Sequence, residues 1–319
     1  MAQEWEDRQM FGDETARQTI RVLSSTDTSF FLPIINSFVA KNPNIGVEYL
    51  VSGTANIDEI YRQTPDTFDV IISSAMDLQL KLVNDGFAQN LDGIQNPDWA
   101  QWRESLYAFT AEPAAIVINR AAFTGVEIPQ TRQDLIRALR ARPEIFRNRL
   151  GTYDVRKSGL GYLFATQDAR ASETYWRLTE VMGNLGTQLY CCSGEMIDDL
   201  VSGKIAVAYN VLGSYADDRA EVGDTIEIIL PADFPTTMMR TVFVSKTTNA
   251  PDAATAFVRH MIDFQRQRSG LSTSLLPPLN KSSDGAGQST IALEPALMTY
   301  LDRLKRQRFI TEWENAIIQ

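Results

Sequence analysis

The sequence predicts an α/β protein built from two domains, and three observations carry that reading. A unit of strand, polar turn and helix occurs three times between Thr19 and Asp85, the alternation that makes a parallel sheet with helices on its faces. Residues 204–208, Lys-Ile-Ala-Val-Ala, have the small and β-branched side chains of a strand covered on both faces. A length of 319 residues at 44% hydrophobic content is more than one core usually organises.

Residues 1–18 are polar and irregular, and are expected as a flexible arm. A strand at 20–23 leads through Ser24-Ser25-Thr26-Asp27-Thr28 into helical spacing at Phe30, Phe31, Ile34, Ile35 and Phe38 that closes near Lys41. The strand at 47–51 is followed by Ser52-Gly53-Thr54 and a helix near Ile57. The strand at 68–72 ends in Ser73-Ser74 before a helix over 77–85. Two β-like runs in 106–119 flank Glu112-Pro113 and are expected to cross between domains; a basic helix over 132–142 comes next. A strand at 151–153 runs through Val155-Arg156-Lys157-Ser158-Gly159 to a helix containing Tyr162 and Phe164. A helix over 172–182, the turn Cys191-Cys192-Ser193-Gly194 and a helix over 195–201 precede the 204–208 strand, which is expected to stop at Tyr209-Asn210. Return strands are expected at 226–230 and 241–245, an amphipathic helix over 253–264 and further helix within 293–313. Pro277-Pro278 and the Ser/Gly-rich 281–289 mark a loop between those two helices.

Charge and motif content remove several function classes. Thirty basic against 40 acidic residues give a formal charge of −10 and no basic stripe, which argues against a nucleic-acid partner. Apolar runs such as 114–118 are too short to span a bilayer. The amino terminus, MAQEWEDRQM, lacks the order of a secretion signal, which leaves a cytoplasmic protein or an exported one whose signal has been removed. Cys191 and Cys192 are the only cysteines, read either as two free thiols or as a vicinal disulfide stiffening a loop in an oxidising compartment. No metal-ligand cluster, cofactor fingerprint or hydrolase motif is visible, and a catalytic triad would depend wholly on His260, which lies on an amphipathic helix face. The expectation is no enzyme, no metal and no cofactor.

The polar turns share one physical feature, a strand end followed by a helix start. Helix-start amides and Ser/Thr hydroxyls bind anionic oxygens. Ser25, Thr26 and Asp27, then Ser52, Gly53 and Thr54, then Ser73 and Ser74, are candidate contacts in the first domain; Ser158-Gly159 and Ser193 offer the same device in the second. Ligands of open α/β sheets lie beyond the carboxyl ends of strands, which adds Tyr209, Asn210, Ser214 and Tyr215. Arg156 and Arg240 are the candidate clamp, because a guanidinium grips a carboxylate or phosphate through two parallel bonds. Ordinary helix capping and surface ion pairs are the competing roles.

Five stretches, in this order, resemble the substrate-binding proteins of bacterial ABC importers, in the subgroup that includes ferric-iron binders. They are RVLSSTDTSFFLPIINSFVAKNPNIGVEYL, DTFDVIISSAMDLQLKLVNDGFAQNL, AEPAAIVINR, DDLVSGKIAVAYN and APDAATAFVRHMIDF. The resemblance implies a two-lobed type 2 periplasmic-binding-protein fold, mixed sheets flanked by helices around an interlobe cleft. It places lobe 1 at 19–112 and 237–285, lobe 2 at 113–236, and carboxyl-terminal helices at 286–319 packing across the lobes. It also implies a periplasmic monomer that closes on a small polar, anionic, phosphorylated or carboxylated molecule, with an ABC permease as partner, or else the external domain of a two-component sensor kinase. Ferric binders of this group carry adjacent tyrosines after the strand at 205–208, whereas Tyr209 and Tyr215 here are separated. That departure counts against a ferric ion or ferric complex as the ligand, and a hydrolase on the same fold is the remaining alternative.

Overall fold

The three strand-turn-helix units form where their apolar spacing places them. The computed structural model describes residues 5–13, 15–218, 225–267, 276–279 and 289–318. Strands β1 (Asp7–Phe11), β2 (Gln18–Ser24), β3 (Ile45–Val51) and β4 (Val70–Ser73) come first, with α1 (Thr28–Lys41), α2 (Thr54–Gln63) and α3 (Met76–Asn84) following the last three. Next are β5 (Gln101–Trp102), β6 (Leu106–Ala108), β7 (Glu112–Asn119), α4 (Arg132–Ala141), α5 (Pro143–Phe146), β8 (Leu150–Tyr153), α6 (Gly159–Ala171) and α7 (Thr174–Asn184). Then follow β9 (Gln188–Tyr190), α8 (Ser193–Val201), β10 (Val207–Leu212), α9 (Gly213–Asp218), β11 (Ile226–Ile229) and β12 (Thr236–Met238). The chain ends with β13 (Thr241–Val244), α10 (Pro251–Arg266), β14 (Ser289–Thr290) and α11 (Arg303–Ile317).

Two compact units result. The first comprises Met1–Ala111, Met239–Lys281 and Ala292–Met298; the second comprises Glu112–Met238, Ser282–Ile291 and Thr299–Gln319. In the first, the sheet order is β1-β3-β2-β4-β13-β6-β5. Strand β2 is parallel to β3 and β4, with Ser24 opposite both Val51 and Ile72, so all three carboxyl ends lie along one edge. Strand β13 runs antiparallel to β4 and starts at that edge, Thr241 facing Ser73. Register therefore delivers the turns after β2, β3 and β4, and residue 240, to one end of the sheet. The core beneath is apolar on both sides, and its aromatic pairs include Phe38 edge-on to Phe257 at 5.1 Å and Phe31 against Tyr49 at 5.3 Å.

The second unit has the order β14-β12-β7-β10-β8-β9, with β11 also on β7. Strands β10, β8 and β9 are parallel, and β7 is antiparallel to β10, Leu212 facing Ala114. The turns after β8, β9 and β10 thus share an end with the start of β7. Leu135, Leu139, Leu178, Phe309 and Trp313 from α4, α7 and α11 fill the core on one side.

Three expectations are corrected here. Residues 7–11, assigned to a flexible arm, form β1: Asp7 to Phe11 pair with Val51 to Val47, and Arg8 bonds the buried carboxylate of Glu48 at 2.7 Å. Its run Asp-Arg-Gln-Met is polar because β1 is a sheet edge, so the apolar alternation of a strand is missing. The strand expected at 204–208 instead runs Val207–Leu212, straight through Tyr209 and Asn210, because a bulge at Asn210 absorbs the irregularity that reads as a stop. Glu112-Pro113, expected between two β runs, lies inside β7. Helix α11 belongs to the second unit and packs on α7. The 281–289 loop lies outside the described residues except for Ser289.

Candidate functional site

In the first unit the strand-end turns converge as side chains as well as backbone. Ser24 Oγ accepts from the Thr26 amide at 3.1 Å and from the Tyr49 hydroxyl at 2.7 Å, which pins the turn after β2. Ser25 Oγ accepts from the Ser74 amide at 3.2 Å, tying that turn to the one after β4, and Ser73 Oγ accepts from the Ala75 amide at 3.1 Å. The Ser52 amide donates to the Ser24 carbonyl at 3.0 Å. Arg240 Nη1 donates to Thr26 Oγ1 at 2.6 Å, and its backbone amide donates to Thr110 Oγ1 at 3.1 Å. Ser25, Thr26, Ser74 and Arg240 are therefore one cluster, with Arg240 only 1% exposed. Asp27 is exposed at the amino end of α1, where its side chain makes no cap bond; Gly53 and Thr54 open α2 with no side-chain cap either. The neighbouring Thr28 donates to Asp7 of β1 at 2.6 Å.

The second unit spends most of its expected contacts on its own architecture. Arg156 bonds Asp154 at 2.8 Å and Glu314 at 3.1 Å and lies over the Trp313 ring, so two carboxylates flank its guanidinium. Ser158 caps α6 by accepting from the Gly161 amide at 3.1 Å, and Gly159 is the first residue of that helix. Ser193 shares a 2.6 Å bond with the Tyr153 hydroxyl, and Ser214 donates to Glu112 at 2.6 Å; Tyr215 is buried. Cys191 and Cys192 are joined as a vicinal disulfide at the turn into α8.

Tyr209 and Asn210 belong to a buried network that sequence reasoning did not anticipate. Asp168 of α6, fully buried, accepts from the Tyr209 hydroxyl and from Asn210 Nδ2 at 2.7 Å each, from Thr236 Oγ1 at 3.2 Å and from Arg132 Nη2 at 3.3 Å. Arg132 further donates to the Tyr209 hydroxyl at 2.7 Å, to Asp233 at 3.1 Å and to the Phe234 carbonyl at 3.2 Å, and stacks on the Phe234 ring. Burial pushes the Tyr209 phenol well above its usual range, so it stays protonated and donating. The Tyr209 hydroxyl is thus used internally, and only Asn210, held at a left-handed φ of +61°, sits off the regular ladder with β7. Asp168 carries no sequence signal because it lies in the polar run Thr166-Gln167-Asp168 near the end of α6, where a carboxylate reads as solvent-facing. Arg132 reads as another base of a basic segment.

Chemically, the first cluster offers hydroxyls, helix-start amides and one guanidinium, a donor-rich set suited to carboxylate or phosphate oxygens. Among the described residues no group of three His, Cys, Asp or Glu side chains is placed to hold a metal. His260 packs between Phe38 and Phe264, and burial lowers its pKa. Among those residues, too, no helix is long and apolar enough to cross a membrane.

Comparison with curated protein sequences gives no match. Residues 24–263 match the family described as bacterial extracellular solute-binding protein. Among solved structures, the chain is similar to the substrate-binding protein of an ABC transporter from Agrobacterium tumefaciens, with 31% identity, a TM-score of 0.92 and 98% of each chain covered. In fold it is also similar to AfuA of Actinobacillus pleuropneumoniae with exogenous fructose-6-phosphate bound, at 16% identity, TM-score 0.72 and coverage of 94% of this chain and 99% of that one. Iron-bound HitA of Pseudomonas aeruginosa gives 13% identity, TM-score 0.68 and coverage of 93% and 99%. With a family match over 240 of 319 residues and a 31% identical relative along nearly its whole length, this chain belongs to the bacterial extracellular solute-binding proteins of ABC transporters.

Proposed function

We propose that this protein captures a small polar organic anion, phosphorylated or carboxylated, by closing its two units on it in the periplasm, and delivers it to an ABC importer. The observation that supports the anionic ligand best is the cluster at the strand ends of the first unit, where Arg240 holds Thr26 beside the linked Ser25 and Ser74. In this reading the turns at Ser25, Thr26, Ser52, Gly53, Ser73 and Ser74, with Arg240, take the charged end of the ligand. The fructose-6-phosphate named for AfuA is a ligand of the same chemical class and supports the reading by analogy of fold. Closure follows from differential affinity alone: the ligand draws the population toward whichever arrangement gives it more contacts. Small-angle scattering with and without a ligand that binds by calorimetry tests this. The reading expects a fall in radius of gyration at saturation with no chemical change in the ligand; turnover of the ligand, or binding without contraction, contradicts it.

A further inference from the structure

Helix α11 begins Arg303-Leu304-Lys305-Arg306, and its first turn contains no acid. The amino end of a helix is its positive pole, where a cation is unfavourable rather than stabilising. Its acids, Glu312 and Glu314, lie toward the opposite end, so the order of charge along the helix is the reverse of the one that stabilises it. Asp302 offsets part of this by accepting from the Lys305 amide at 3.1 Å.

Some of these side chains have a structural use. Arg306 lies 4.4 Å from the centre of the Tyr162 ring, and Arg308 bonds Glu312 at 2.9 Å. Arg303 and Lys305 have none: both are exposed, and no carboxylate among the described residues pairs with either. Leu304 between them is 71% exposed, the most exposed large apolar side chain among the described residues. The turn thus combines unpaired positive charge, in a chain of net charge −10, with an uncovered leucine, a surface complementary to a negative and partly apolar partner.

We propose that the first two turns of α11 are a docking surface for an acidic protein segment that presents an apolar side chain to Leu304. A short segment rather than a bilayer fits the charge distribution. A planar anionic membrane would repel the rest of a −10 chain, whereas a segment within about one Debye length of 8–10 Å feels chiefly the patch. The segment belongs to the extracellular face of the importer, an assignment that rests on the delivery reading above; the surface itself does not.

Two experiments on the full chain separate these parts. Fluorescence anisotropy at low salt uses a labelled Glu-Glu-Leu-Glu-Glu peptide as probe, with wild type, R303E/K305E, L304S and a control reversal of exposed arginines elsewhere, R140E/R147E. The expected result is binding that weakens about tenfold or more in R303E/K305E, weakens in L304S and is unchanged in the control. Equal binding by wild type and R303E/K305E overturns the surface, as does flotation of wild type with phosphatidylglycerol vesicles in place of peptide binding. In cells, a photocrosslinker in place of Leu304 is expected to capture the importer's membrane subunit, with the yield lost in R303E/K305E. Capture of a sensor-kinase external domain instead sinks the importer assignment, and a yield indifferent to R303E/K305E sinks the surface.

Discussion

Arg240 and Thr26 lie 214 positions apart in sequence, yet the Arg240 guanidinium donates to the Thr26 hydroxyl at 2.6 Å with both residues buried. The contact exists because β13 enters the sheet antiparallel to β4, which puts residue 240 at the strand ends where the turn after β2 also lies. If this guanidinium grips the anionic end of the ligand, Arg240→Ala should weaken affinity by ~1–3 kcal/mol, or roughly 5- to 150-fold. Arg240→Lys should recover only part, because an ammonium cannot form the paired bonds of a guanidinium. Calorimetry on both variants decides it, and unchanged affinity in Arg240→Ala removes the clamp.

A second prediction concerns Asp168 and Arg132. Asp168→Leu leaves the buried Arg132 with only the partly exposed Asp233 as counter-charge and strands the donors of Tyr209 and Asn210, so it should destabilise the protein by about 3 kcal/mol or more in urea unfolding. The pair Arg132→Met with Asp168→Leu should cost less than the sum of the two single changes, since neither charge is then stranded. Strict additivity would mean that the two side chains are not coupled.

Asn210 supplies a third. At φ +61° a β-branched side chain is strained, whereas glycine is not. Asn210→Val should therefore destabilise by more than Asn210→Gly, which gives up only the bond to Asp168; the difference is expected to be about 1–2 kcal/mol. Similar melting temperatures for the two would show that the strand lies in regular register.

Arg156 should behave as a structural residue. Burial would raise the Asp154 carboxyl, but the Arg156 hydrogen bonds outweigh it and hold the group below the usual carboxylate range. A depressed carboxylate contributes stability that is present above about pH 4 and is lost as pH falls through its folded value. Arg156→Ala should thus cost less than about 1 kcal/mol at neutral pH, given its partial exposure, with the difference from wild type shrinking in acid and ligand affinity intact. A large loss of affinity would return Arg156 to the binding site.

The vicinal disulfide has a direct check. Intact mass of the unreduced protein should be lower by two hydrogens than after reduction, and the unreduced chain should take up no thiol-alkylating reagent. Alkylation of both cysteines without reduction would show free thiols.

Much of this architecture is legible in the sequence because its cause is local. Strand β4 and the Phe30, Ile34 and Phe38 stripe of α1 are read from apolar period alone. The Ser24–Thr28 and Ser73-Ser74 turns are visible because hydroxyls cluster between a strand and a helix. Strand β1 escaped because an edge strand needs no apolar face, and the bulge at Asn210 escaped because the carboxylate that its side chain bonds, Asp168, lies 42 positions away. The ion pairs of Arg156 are hidden for the same reason: of its partners Asp154 and Glu314, the second is 158 positions distant. Charge pairing across the fold is the part of the site that periodicity does not encode.

The most direct test is the melting temperature across a panel of sugar phosphates, phosphonates, carboxylates, neutral sugars, amines and ferric complexes. The account predicts a concentration-dependent rise with at least one phosphate or carboxylate, sharply reduced in Arg240→Ala. A rise produced only by neutral, cationic or ferric compounds, or one that Arg240→Ala leaves untouched, would contradict it.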